Sequence, residues 1–514
     1  MRLQRLTVLF IVACSGVVLA QPVLTKVVRQ SDTVQANGVQ FWVNSIDSVS
    51  AAGLGSYAVA VRAARAGGTP TGMLIGSRAG DMGLLPNLTV LQTPDQSAVS
   101  AATPLRAFIE PEIGINSNGR LVYSSGISNR PGGVLQNAPG FLDSLWVDDG
   151  AAAFPAGQCT VLSGSPASSA SAGAQWTFAS KPSVLMDGTP YWLGGLSYSI
   201  GGKTDSSGVY RGVGTGIQRQ LGSGDPVASL GQVQSPVGIS HFAVSRAAGR
   251  LIAVVKLDAP PSMNQAVVTV EPTPQSSLIP LLVKGDLVGN LIPGRHWKSF
   301  TLVGTADIQD CHAAPSWFVA GECSAPAGSS WLLVRDGTTL YREGSQIAGF
   351  TLVGAPLDAA MNSSGDLLFL WPASIAGGEP TPILFLNGQP ILRPADLVDT
   401  DGNGVGDETF EHIWPVMAIS NSDESGLLDV YALVSLYRDV NSIRSLIRVR
   451  TNGVQQAACI ADFNNSGGSP DDSDVFDFFQ AWNDGDPSAD VNCSGGTPDD
   501  GDVFYFMDRW FAGC

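Results

Sequence analysis

Histidine is nearly absent from this chain. Four occur in 514 residues, at 241, 296, 312 and 412, and none stands at metal-ligand spacing from another histidine or a cysteine. No His-Glu-x-x-His helix, Gly-x-Ser-x-Gly elbow or phosphate-cradling glycine loop can be written from these residues. Cationic residues are also scarce: 28 Lys and Arg face 45 Asp and Glu, for a net charge of −17. Phosphate backbones are held by clustered Lys and Arg, so nucleic acid is not an expected partner. Long apolar runs are lacking too, and past the first twenty residues nothing approaches the roughly 20 apolar residues of a membrane-spanning helix. Charged residues make up only 14% of the chain, and Gly and Pro together number 92, too few to imply disorder without a fold. The balance, rich in Val, Leu, Ser and Gly, reads as compact β structure.

At the start, Met1 to Ala20 has the layout of a secretory signal. Arg2 and Arg5 provide charge, Leu6 to Ala13 an apolar core, and Val18-Leu19-Ala20 a small-x-small site before Gln21. Ile11-Val12-Ala13-Cys14 also matches a lipoprotein box, which would place a lipid on Cys14. Either reading predicts a secreted or cell-surface protein. Export makes the remaining cysteines, at 159, 311, 323, 459, 493 and 514, candidates for disulfides. Cys311 with Cys323 and Cys459 with Cys514 are the expected pairs, with Cys159 and Cys493 left over. Alternatively, Cys514 stays free as a terminal attachment point.

Residues 21–458 carry a weak internal period. Asn116-Ser-Asn-Gly-Arg-Leu-Val-Tyr123 and Asn362-Ser-Ser-Gly-Asp-Leu-Leu-Phe369 are its clearest forms. Looser copies begin at Met186, Arg246 and Ser422, and another surrounds Gly55. Each is a polar turn with Gly feeding an apolar run, the pattern of a turn entering a buried strand. The glycines, at 55, 119, 188, 249, 365 and 426, are 61 to 69 residues apart except for one gap of 116. That gap predicts a degenerate copy near 307–320, with Trp317-Phe318-Val319 as its strand. Between copies, residues 332–344 carry Asp336-Gly337 and residues 383–393 carry Asn387-Gly388, each a hairpin signal. Four strands per unit and about seven units predict a β-propeller, with tandem β-sandwiches as the alternative. The phrase resembles the Asn-x-x-Gly-x-x-Ala-Phe repeats of exported bacterial proteins with anchoring C-termini, a resemblance that implies no chemistry. Asp399-Thr-Asp-Gly-Asn-Gly-Val-Gly-Asp-Glu408 alternates oxygens with glycines, which makes Asp399, Asp401, Asn403 and Asp407 candidate calcium ligands.

Residues 459–514 contain one unit written twice. Ala461 to Trp482 and Ala489 to Trp510 are offset by 28, and 14 of 22 aligned positions are identical. The first half of each unit sets oxygens at alternate positions before a glycine: Asp462, Asn464 and Ser466, then Asp490, Asn492 and Ser494. Asp471 and Asp474, with Asp499 and Asp502, could close a calcium shell from the far side. The second half is an amphipathic helix, with Val475, Phe478, Phe479 and Trp482 on one stripe and Val503, Phe506, Met507 and Trp510 on its copy. This unit resembles a dockerin, the duplicated calcium loop–helix module of secreted bacterial proteins. Its Gly513-Cys514 ending is similar to that of the Gly-Cys-terminated planctomycete variety. The resemblance implies an all-α domain, calcium as cofactor, and a cohesin-like protein or surface anchoring machinery as partner. Loop position five departs from the family pattern, having Ser466 and Ser494 where Asp is usual, and each loop runs one residue long.

The domains expected are thus a signal at 1–20, a β-propeller at 21–458 and a dockerin-like module at 459–514. The function expected is non-enzymatic display or docking of the propeller, with glycans as a further class of partner. The alternative is a dockerin-borne glycoside hydrolase or lyase, since two carboxylates brought together by the fold would suffice for glycoside chemistry. No catalytic residue is assigned.

Overall fold

The computed structural model describes residues 23–453 except 37, 69, 79–88, 93–97, 101–102, 105–106, 117–118, 129–140, 149–157, 163–166, 168–173, 186, 199–205, 236–237, 246–248, 271–277, 289–293, 307–315, 325–327, 376–377, 424 and 439–440. It then describes 463, 472–486, 489, 491 and 498–512. Among these residues, seven antiparallel sheets of four or more strands follow one another along the chain. The strand of each that enters the repeated turn, called its first strand below, is Val39–Ala51, Ala107–Ile115, Ala174–Val184, Ile239–Val244, Trp297–Thr305, Asp358–Met361 or Glu408–Ile419. Apart from the third and fourth, successive first strands lie against one another, and the last touches the first. Between the third and fourth sheets Lys181 Nζ donates to the Ser240 carbonyl at 3.0 Å. The sheets are therefore blades around a closed ring, a β-propeller rather than tandem sandwiches.

The core is divided as this architecture requires. Seven apolar clusters each draw on two adjoining blades. Trp192 and Tyr210 of blade three pack with Val122 and Leu145 of blade two, for example, while Val209 and Leu221 face Leu251 and Val268 of blade four. Because the two faces of a strand are buried against different neighbours, the strands read as nearly continuous apolar runs. Ring closure joins the two ends of the propeller. Val23–Arg29 pairs antiparallel with Asn441–Asn452, so the last blade has four strands from the end of the domain, the short Leu397–Val398 among them, and one from its beginning.

The repeated phrase is the turn from first to second strand. All six glycines of the period have positive φ, from 67° at Gly249 to 86° at Gly188, where a side chain would be strained. The asparagine of the phrase fastens one blade to the next. Asn116 Nδ2 donates to the Leu185 carbonyl at 2.9 Å, and Asn362 Nδ2 to the Ser420 carbonyl at 3.0 Å. Arg335 reaches the Gly365 carbonyl at 3.0 Å, and Arg78 the Gly119 carbonyl at 2.7 Å. The strand of the degenerate copy is present as well: Trp317–Cys323 is the second strand of blade five, while the turn before it, at 307–315, lies outside the described residues. Both expected hairpins form, Trp331–Arg335 with Thr338–Arg342 and Thr381–Leu386 with Gln389–Leu392. Their turns place Asp336 and Gly337 at φ 49° and 77°, and Asn387 and Gly388 at 52° and 83°.

Two helices follow, Asp472–Asp484 and Asp500–Ala512. Among the described residues, neither is long and apolar enough to cross a membrane. Their apolar cluster contains Phe463, Phe478, Val491 and Phe506 with the stripe residues and no propeller residue.

Candidate functional site

The two helices carry the sequence duplication into three dimensions. Phe478 and Phe506 hold equivalent positions, and their rings stack at 4.0 Å with planes 5° apart. Phe463 meets both edge-on, at 5.5 Å and 6.2 Å. An equivalent pair on the other side, Phe476 and Phe504, is 75% and 76% exposed.

Of the oxygens expected to hold calcium here, Asp462, Asn464, Ser466, Asp471, Asp490, Asn492 and Ser494 lie outside the described residues. Asp474, Asp499 and Asp502 sit at the helix starts. Asp499 accepts the Gly501 N–H at 2.8 Å, and Asp502 reaches back to the Asp499 N–H at 2.8 Å. This is a reciprocal capping arrangement that satisfies free helix amides. Asp474 and Asp502 are both fully buried, and at helix N-termini the backbone dipole favours their charge. Trp482 Nε1 donates to the Asp499 carbonyl at 2.9 Å, locking one helix to the start of the other.

The loop Asp399–Asp407 joins the short strand Leu397–Val398 to Glu408–Ile419 of blade seven, and these two strands pair with each other. The Asp399 carboxylate accepts the N–H of Gly402 at 2.6 Å and of Gly404 at 2.8 Å. Burial alone would raise its pKa, but these N–H groups outweigh it and hold the carboxyl below the usual carboxylate range. Asp401 accepts from Asn403, Asn403 from the Val405 N–H, and Asp407 from Thr400. All four expected ligands thus accept hydrogen bonds from the loop's own backbone or side chains. Among the described residues, no group of three or more His, Cys, Asp or Glu is gathered to hold a metal ion. The loop does hold the ring closed: Lys26 N–H donates to the Asp399 carbonyl at 3.0 Å and Asp399 N–H to the Leu24 carbonyl at 2.8 Å.

Cys323 is a buried free thiol, and Cys311, its expected partner, lies outside the described residues, as do Cys459, Cys493 and Cys514.

The first strands share a device that the sequence reading missed. In three of them pairing shifts register in mid-strand, at Pro111, Pro182 and Pro415, and in blade six Pro356 lies two residues before the strand. Proline lacks the donor a ladder needs and belongs at such bulges. A recurring x-Pro six to eleven residues before the turn glycine was the available signal. Beside one bulge Lys181 has φ 50°, and its N–H donates to Glu112. Asp358, on the first strand of blade six, is pushed up to about 7 by burial, with only the Ala359 N–H working the other way. A carboxyl whose folded pKa exceeds its unfolded one binds more protons when folded, so its ionisation erodes stability as pH rises from about 4 to 7. Asp358→Asn should therefore raise stability at pH 8, by on the order of 1–2 kcal/mol after allowance for partial exposure, and do little at pH 4. Urea unfolding at the two pH values checks this, and equal gains at both would refute it.

On the face carrying the blade-to-blade crossings, between blades three and four, lies a pocket of about 600 Å³. Tyr198, Ser206, Arg219, Gln232, Gln234 and Asp258 line it, over a floor at Ser223, Gly224 and Val233. The short hairpin Pro226–Val227 with Gly231–Gln232 forms one wall. Arg219 pairs with Asp225, which also accepts the Gly222 N–H at 2.7 Å. Burial pushes the Asp225 carboxyl up against the pull of Arg219. The Ser206 hydroxyl is buried and has no hydrogen-bond partner.

No protein-family model and no curated protein matches this chain. Solved structures align at low similarity. A Penicillium chrysogenum α-L-arabinanase complexed with arabinobiose is 12% identical, with 70% of this chain and 96% of that one covered and a TM-score of 0.31. The Aleuria aurantia lectin in complex with α-methyl-L-fucoside is 14% identical, covering 67% and 96%, at 0.29. An intramolecular trans-sialidase from Ruminococcus gnavus is 11% identical, covering 80% and 95%, at 0.29. Scores this low carry no argument about activity, and the propeller rests on its own strand pairing.

Proposed function

We propose that this is an exported, non-enzymatic β-propeller displayed or docked through its C-terminal helix pair, whose folding depends on calcium. The observation that supports the reading is the separate apolar core of the helices, built from the two sequence copies alone. An adaptor that moves between settings needs such a core, and a C-terminal extension of the propeller does not. The signal-like start at 1–20 supports export, and the Gly-Cys ending supports an anchoring role for the tail. Calcium, when bound, would supply positive charge that draws the acidic turns together. Asp462, Asn464 and Ser466, and Asp490, Asn492 and Ser494, are the residues proposed to hold it. The Asp399 loop is proposed as a weaker structural calcium site. A cohesin-like protein or surface anchoring machinery is the proposed partner. No observation among the described residues favours the glycosidase alternative.

Deleting residues 459–514 in the native host and fractionating the cells tests display. The truncated propeller should move from the surface fraction to the medium, and surface retention would end the docking reading. Calcium dependence has its own readout, hydrogen exchange of the full chain. On chelation, amides of Asp472–Asp484 and Asp500–Ala512 should lose about 100-fold or more of their protection, because metal binding and folding are coupled. The propeller strands should be unchanged. Equal exchange with and without calcium would remove the metal.

A further inference from the structure

We propose that the pocket between blades three and four binds a short neutral oligosaccharide. Its volume, about 600 Å³, is within the range of small-molecule sites. Its chemistry then selects among ligands. The one cation on its wall, Arg219, is already engaged by Asp225, while Asp258 contributes a second carboxylate. Local charge is therefore net negative, which opposes phosphates, sulfates, nucleotides and acidic sugars. Apolar ligands find little carbon here, since Tyr198 and Val233 are the hydrophobic members of the lining. What remains is dense in groups that both give and accept hydrogen bonds: the Gln232 and Gln234 amides and the hydroxyls of Ser206, Ser223 and Ser235.

A polyhydroxylated ring matches that inventory. Each sugar hydroxyl is donor and acceptor at once, so amides, hydroxyls and a carboxylate can serve it from several directions. The apolar face of a pyranose can lie on an aromatic ring, the role assigned to Tyr198. The buried Ser206 hydroxyl without a partner adds an independent indication. An unmade hydrogen bond in a buried group is unfavourable by about 1–3 kcal/mol, and a ligand hydroxyl that completes it recovers that loss. At Gly224, φ is 85° and a Cβ would meet nothing within 4 Å, so backbone is bare to the cavity and a sugar edge can approach closely.

The inference does not depend on the C-terminal helices. A lysate-free test uses the full chain and its 459–514 deletion with defined probes: gluco-, xylo-, manno- and arabino-oligosaccharides of two to four units, with sialyllactose and ATP as anionic controls. Calorimetry should show at least one neutral oligosaccharide binding equally to both chains, with neither anion binding. Gln232 and Gln234 are exposed, so the double variant Gln232→Ala/Gln234→Ala should keep its melting temperature and bind about tenfold or more weakly. Gly224→Trp should abolish binding by filling the space. Refutation takes any of three forms: no neutral saccharide bound, binding indifferent to both variants, or preference for an anion. Loss of binding only in the deletion chain would place the site in the tail and overturn the pocket, whatever becomes of docking.

Discussion

Replacing Arg450 with Met should destabilise the propeller by about 3–5 kcal/mol, seen as a large fall in its urea midpoint. Arg450 and Asp429 face each other on adjacent strands of blade seven, and Asp429 is fully buried. The guanidinium is bidentate, at 2.8 Å and 2.9 Å, and the same carboxylate accepts the Gly55 N–H of blade one at 2.9 Å. The variant would leave a buried negative charge beside the seam where the first and last blades meet. Packing there is otherwise apolar, with Tyr57 of blade one stacked on Tyr431 of blade seven at 4.8 Å. The cost should thus fall on ring closure. If the midpoint held, the ion pair would be incidental and the apolar cluster sufficient.

The second large effect belongs to the helices. Phe478→Ala removes the fully buried ring at the centre of their stack. Such a truncation costs about 3–5 kcal/mol in an ordinary core, comparable to the whole stability of a unit this small. Amides of both helices should exchange as in an unfolded chain, while those of the blades keep their protection. A variant that also loosened the blades would show that the helices and propeller share stability, and the adaptor reading would fall with it.

These two positions mark how far the sequence could be read. The Phe478 stripe was visible because helical spacing is local and the unit is duplicated. The turn glycines were visible because an L-residue is strained where φ is positive, so six of the seven blades carry a glycine at the same place. The paired hairpins followed from Asp336-Gly337 and Asn387-Gly388 for the same reason. Arg450 and Asp429 were invisible, since a cross-strand ion pair leaves no periodic trace. The closing strand Val23–Arg29 was equally hidden, because its partner is more than 400 residues away and its pattern is that of any strand. The candidate pocket is assembled from Tyr198, Arg219, Gln232 and Asp258, scattered across three strand connections and individually unremarkable in sequence. At the Asp399 loop the oxygen spacing was legible but the amides that the oxygens accept were not. The same alternation serves the loop's own amides, and only coordinates show which partners the carboxylates take.

The strand order of blade seven also has a consequence for how the molecule is made. The strand Val23–Arg29 emerges from synthesis or export before any partner exists for it, and must wait for Asn441–Asn452. Each interior blade can zip up as it appears, but the circle cannot latch until nearly all of the propeller is present. A product interrupted anywhere before blade seven would keep an unmatched edge at both ends, open to proteases and to mispairing. The seam is therefore an inspection point, and reaching the tail certifies that the body ahead of it is complete.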